Sequence, residues 1–138
     1  MDIRAPRTFQ IKGNTYPVKF PTTGQFIDAE RLKAQLSRGE YFEMMRSATV
    51  SAAQALDQID TLAYITTLIP DLAKDSKVES LFDLDVLEMN ELVLAYKKQI
   101  QPWIVEIITI IKKSNEADVK ESNEEIKHGD SNTTDIEK

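Results

Sequence analysis

The sequence predicts a mainly helical domain with a small N-terminal β-hairpin, an α+β fold of three to four helices followed by a disordered acidic tail. Three observations carry this. Apolar residues alternate with period two between Thr8 and Phe20, they recur every three or four positions from Phe26 to Ile110, and the periodicity stops after Lys113. Residues 1–113 are therefore expected to form a single domain and residues 114–138 a tail.

Thr8-Phe9-Gln10-Ile11-Lys12 and Thr15-Tyr16-Pro17-Val18-Lys19-Phe20 each set their apolar side chains on one face. Gly13-Asn14 between them reads as a two-residue turn, because both residues tolerate positive φ. Pro17 has no amide donor and is expected at an outward-facing edge position. A lone two-stranded hairpin is marginal in water, so its apolar face must dock on helices or pair with another chain.

Thr22 and Gln25 stand at capping-box spacing, which starts the first helix. Phe26, Ala29, Leu32, Lys33 and Leu36 follow at helical spacing, and Ser37-Arg38-Gly39 ends it with Gly39 as a left-handed cap. A second helical stretch runs from Tyr41 to Ile69. Its seam is Met45, Ala48, Ala52, Ala55, Ile59, Leu62, Thr66 and Ile69, it is uneven near Ser47 to Ser51, and Pro70 terminates it. Asp71 to Asp83 reads as a connector with one helical turn. Asp85 and Glu88 repeat the capping spacing and open the longest helix, Val86 to Lys113, with the seam Val86, Met89, Val93, Tyr96, Ile100, Trp103, Ile107 and Ile110. That seam crosses Pro102, where a kink or break is expected. A strand over Ile104 to Ile111 is the alternative, since short apolar runs cannot be assigned by period alone.

Trp103 to Ile111 contains only Glu106 and Thr109 as polar side chains. The run falls short of the roughly 20 apolar residues that cross a bilayer, yet is too apolar all round for a solvated surface. The chain's own core or another subunit must cover it. After it, Lys120, Lys127 and Lys138 stand against eight acids, so residues 114–138 hold -5 of the net charge of -6. Such a segment buries too little to repay ordering its backbone and is expected to be disordered.

Several function classes are excluded. The chain has no cysteine, and its single histidine, His128, lies in the tail, so thiol chemistry and triads with an imidazole base have no residues to work with. Neither a G-x-x-x-x-G-K-[ST] nor a G-x-G-x-x-G loop occurs. A near-neutral body without a basic stripe argues against nucleic acid. Asp83, Asp85 and Glu88 lack the glycine and the bidentate glutamate of a calcium loop, and the pairs Asp57/Asp60 and Asp71/Asp75 have no third ligand. No catalytic residue, metal or cofactor is expected, and the protein is read as not an enzyme. With no apolar stretch after Met1 and no cysteine, an intracellular, cytoplasmic location is expected.

The hairpin from Thr8 to Val18, followed by Pro21-Thr22-Thr23-Gly24-Gln25 and a helix beginning Phe26-Ile27-Asp28-Ala29-Glu30, resembles small proteins of tailed bacteriophages, tail assembly chaperones in particular. The resemblance covers residues 8–40 and extends to the helical remainder in outline. It implies a non-enzymatic protein of the host cell cytoplasm that coats the tape-measure protein or restrains tail-tube subunits before polymerisation and is absent from the finished virion. Many members of that family are also made in a longer, frameshifted form, and Lys112-Lys113 can be encoded by an A-rich slippery heptamer. The chain departs from the pattern in having no strongly charged surface helix with which to grip a tape measure. Alternatives are a structural virion component, such as a connector or ring subunit, and a small regulatory protein-binding module.

Candidate protein-binding residues are Tyr16, Val18 and Phe20 of the hairpin and Trp103, Ile104, Ile107, Ile108 and Ile111 of the apolar run. Each group carries an apolar excess that a small domain struggles to cover alone. A second copy of the chain is a further candidate partner.

Overall fold

The period-two patterning is realised as an antiparallel hairpin of β1 (Arg7–Ile11) and β2 (Asn14–Val18). The computed structural model describes residues 2–117; the expected tail lies outside them except for its first four residues. Phe9 faces Tyr16, Arg7 faces Val18, and Ile11 faces Asn14. The turn is therefore Lys12-Gly13 rather than Gly13-Asn14, with φ of 52° and 78°. The physical reason is positional: in two-residue turns of this hand glycine is favoured at the second central position, which only Lys12-Gly13 achieves. Counting from the closing pair, Thr8 and Pro17 form a pair whose backbone groups point away from the partner strand, so the missing proton of Pro17 costs no ladder bond.

Helix α1 (Thr23–Leu36) begins at the expected capping box. The Gln25 amide N–H donates to Thr22 Oγ1 at 3.1 Å, and the Thr22 N–H donates to Gln25 Oε1 at 2.9 Å. Gly39, at φ 80°, donates back to the Ala34 carbonyl and closes the helix. The second stretch splits into α2 (Tyr41–Arg46) and α3 (Val50–Leu68). Ser47 is extended, and Thr49 accepts from the Ala52 N–H, so a new cap restarts the helix where β-branched and hydroxyl residues weaken it. Pro70 ends α3 and leads into α4 (Asp71–Asp75); a 3-10 turn, Leu81–Asp83, follows. Asp85 caps α5 (Val86–Gln99), accepting from the Glu88 N–H at 2.8 Å.

The long helix breaks where its proline predicts. Ile100 is a turn residue, and helix resumes over residues 101–117, here α6. Pro102 thereby falls in the first turn of α6, where its missing donor has no intrahelical acceptor to lose. The apolar run is helix throughout, not strand, and it continues past Lys113 to residue 117. The described residues thus hold six α-helices; α2 and α4, each under two turns, account for the excess over the three to four expected.

The chain divides into two compact units, one ending at Pro102 and one beginning at Trp103. In the first, α3 is the hub on which α1, α2, α4 and α5 pack, while α5 also supports β1. The second half of α3 is buried on nearly every side, from Ile59 through Thr61, Leu62, Ala63, Tyr64 and Ile65 to Leu68. Met45 and Ala48 of the expected seam are instead exposed, because α2 ends at Arg46, just after Met45, and Ala48 lies in the gap before α3. Phe9, Tyr16 and Val18 bury the hairpin's apolar face in this unit. In the second unit Trp103, Ile104 and Ile107 are buried, whereas Val105, Ile108, Ile110 and Ile111 are exposed.

Candidate functional site

A buried lysine organises the polar interior of the first unit. Lys33 shares the helical phase of Ala29, the other buried residue of α1, and turns inward with it. Its Nζ lies 3.0 Å from Glu30 Oε1, donates to the Tyr64 hydroxyl at 3.3 Å, and sits 3.9 Å from Asp60 Oδ1. It also stands over two aromatic faces, 4.7 Å from the Tyr64 ring centre and 5.5 Å from that of Tyr41. Tyr41 closes the cluster from α2 by donating its hydroxyl proton to Asp60 Oδ1 at 2.7 Å. Tyr64 stacks on Tyr96 and meets the edge of Phe26.

Burial pulls the Lys33 ammonium toward neutrality, but Tyr64, Glu30 and Asp60 together outweigh it and hold its pKa above the ordinary lysine value. Burial also raises the Asp60 carboxyl, against the opposing hydrogen bond from Tyr41 and charge of Lys33. Burial and then the hydrogen bond to Asp60 push the Tyr41 phenol far up. A lysine held protonated this firmly is a poor nucleophile and a poor base. The cluster therefore joins α1, α2 and α3 through a satisfied ion pair.

A second feature is a cleft of about 160 Å³ between the hairpin turn and the segment from α4 to α5. Its apolar lining is Ile11, Leu72, Leu84 and Leu92, and its polar lining includes Lys12, Tyr16, Asp75 and Glu88. Tyr16 donates to Asp75 Oδ2 at 2.8 Å, and Lys12 pairs with Glu88 at 3.1 Å across the mouth.

No family model, curated protein or solved structure matches the chain.

The eight residues expected at a protein-binding surface separate sharply. Tyr16 and Val18 face the core of the first unit, so the hairpin presents its polar side outward. Phe20 is half-buried under the Arg4 guanidinium, 5.9 Å from the ring centre. Trp103, Ile104 and Ile107 are buried, and only Ile108 and Ile111, 42% and 46% exposed, stand open to a partner. The hairpin edge is also less available than its sequence implies. The Gln99 side-chain amide donates to the Gln10 carbonyl at 2.8 Å and accepts from the Gln10 N–H at 2.7 Å, occupying the outer edge of β1 as a strand would. On β2 that outer edge is interrupted by Pro17.

Val105 and Ile110 are exposed on the same two turns as Ile108 and Ile111, and Lys112, Lys113 and Glu116 lie beside Val105 and Ile108. Among the described residues no three side chains of metal-binding type come together, and no helix is long and apolar enough to cross a membrane. His128 lies outside the described residues.

Sequence reasoning missed Lys33, Tyr41, Asp60 and Tyr64 as a unit. The signal was present in part: a lysine in phase with the apolar side of α1, and an aspartate one turn before Tyr64 in the most apolar helix.

Proposed function

We propose that this chain is a non-enzymatic protein-binding factor, a tail assembly chaperone of a tailed bacteriophage that holds tape-measure or tail-tube protein in the host cytoplasm before assembly. The observation that carries the binding part of this reading is the open aliphatic stripe of α6, where Val105, Ile108 and Ile111 follow at three-residue steps and are each roughly half exposed. Surface apolar residues are ordinary when scattered and indicate an interaction site when contiguous. The chaperone part rests on the resemblance over residues 8–40. A charged, caged lysine and the lack of an imidazole in the described residues fit a binding role.

Co-expression tests the reading. The chain should keep the tail-tube or tape-measure protein encoded beside it in the soluble fraction, and Ile108→Ser with Ile111→Ser should abolish that effect without lowering helicity. Stoichiometric recovery of the chain from mature particles, together with no solubilising effect on either protein, would overturn it.

A further inference from the structure

Charge is unevenly distributed over the folded part. Between Asp71 and Glu91 seven acids stand against Lys74 and Lys77 alone, a net of -5, while the rest of residues 1–113 is positive by four. That acidic segment forms one wall of the cleft, through Leu72, Asp75 and Ser76 of α4, Leu84, and Glu88 and Leu92 of α5. Drug-sized ligands occupy roughly 300–1,000 Å³. At about 160 Å³ the cleft is too small for them, and it has room for one long side chain.

The lip of the cleft has acceptor capacity to spare. Asp75 receives the Tyr16 hydroxyl on one oxygen, and Glu88 receives the Lys12 ammonium on one oxygen, whereas a carboxylate offers about four lone-pair sites. Asp71 acts electrostatically on Tyr16, and Asp85 acts on Lys12. Glu88 and Asp85 thus act on Lys12 while Asp75 and Asp71 act on the neutral Tyr16, so acidic groups outnumber the one ammonium along the lip and an arriving cation is attracted. The wall beneath them is aliphatic and suits the methylenes of an arginine or lysine. Within the acidic segment Leu87, next in the chain to Glu88, and Phe82, two residues before Leu84, are exposed, and Leu94 repeats Leu87 two turns along α5.

We propose that this cleft is the docking site for a basic amphipathic helix of a partner protein, one arginine or lysine of which enters between Asp75 and Glu88 while its apolar neighbours cover Phe82 and Leu87. The biological meaning of the site rests on the protein-binding reading above, but its test does not. Titrate the full chain into a fluorescent synthetic peptide with leucine and arginine at helical spacing, and into the same peptide with glutamate in place of arginine. The arginine peptide should bind and the glutamate peptide should not. Asp75→Asn and Glu88→Gln should each weaken binding about tenfold, as expected for losing a hydrogen bond to a charged group. Asp28→Asn, on the exposed side of α1, should leave binding unchanged, and circular dichroism should show all three variants folded. Failure of the arginine peptide to bind overturns the proposal, as does equal binding of both peptides. A loss with Asp28→Asn as large as with Asp75→Asn also overturns it, because it marks diffuse attraction. If the peptide binds through Asp75 and Glu88 but the chain fails to keep either tail protein soluble, the chaperone reading falls and the site stands. Solubilisation of a tail protein, undiminished by Asp75→Asn in a chain whose peptide binding is likewise undiminished, removes the site and leaves that reading intact.

Discussion

Replacing Lys33 by Met keeps the length and packing of the side chain and deletes its charge. The Lys33 side chain is 11% exposed and that of Asp60 21%, so solvent screens the pair weakly. Asp60 would keep the Tyr41 hydrogen bond but lose its nearest cation, and Tyr64 would lose its donor. Breaking a fully buried pair costs about 3–5 kcal/mol. The long 3.9 Å separation and the surviving Tyr41 bond reduce this to about 2–3 kcal/mol. For a chain of this size that corresponds to a drop of about 10 °C in thermal midpoint.

The pH dependence has a definite sign. Asp60 is already raised above the ordinary carboxylate value by burial, and removing Lys33 raises it further. A carboxyl with a raised folded pKa binds protons more readily folded than unfolded, so stability falls as pH rises through that window. The Lys33→Met deficit should therefore be largest near neutrality and shrink as pH falls toward the unfolded Asp value of about 4. Adding Asp60→Asn should recover much of the loss at neutral pH. Urea denaturation followed by circular dichroism measures all of this. A loss below about 0.5 kcal/mol, the scale of a surface substitution, would refute the claim that Lys33 carries a partnered charge in the interior.

Three further outcomes follow from the fold. Gly13→Ala should cost about 1–2 kcal/mol in urea denaturation, since φ of 78° is disfavoured for any residue with a Cβ although nothing crowds the position. Gln99→Ala should cost about 1 kcal/mol and, by opening the outer edge of β1, raise the tendency to associate with concentration in light scattering; a strictly monomeric variant would show the clamp is not an edge guard. Ile107→Asp places an unpaired carboxylate at a buried position and should cost several kcal/mol, read as lost helicity or a lowered midpoint; unchanged stability would contradict the burial described for α6.

The elements most legible in the sequence were those set by local chemistry. The Thr22/Gln25 box, the Asp85 cap, the hairpin face of Phe9, Tyr16 and Val18, and the interruption at Pro102 each follow from a spacing or from one missing proton. The turn register failed because two glycine-containing pairs competed and positional preference within the turn decided between them. The division at Ser47 to Thr49 failed because helical spacing persists across a gap that a cap can exploit. The polar cluster was least legible: Lys33 and Tyr64 are 31 residues apart, and only the packing of α1 on α3 brings them together. For the same reason Ile108 and Ile111 of the candidate binding residues are exposed, while Tyr16, Val18, Trp103, Ile104 and Ile107 are buried. Periodicity reports an apolar face and not which neighbour covers it.

Sedimentation velocity of the chain mixed with freshly unfolded-and-diluted tail-tube protein, and separately with tape-measure protein, tests the central claim most directly. A discrete complex of the two chains should appear in place of polymer or aggregate, and it should disappear when Ile108 and Ile111 are both changed to Ser. Sedimentation of the chain as a free species, while the tail protein polymerises or aggregates as it does alone, would contradict the account.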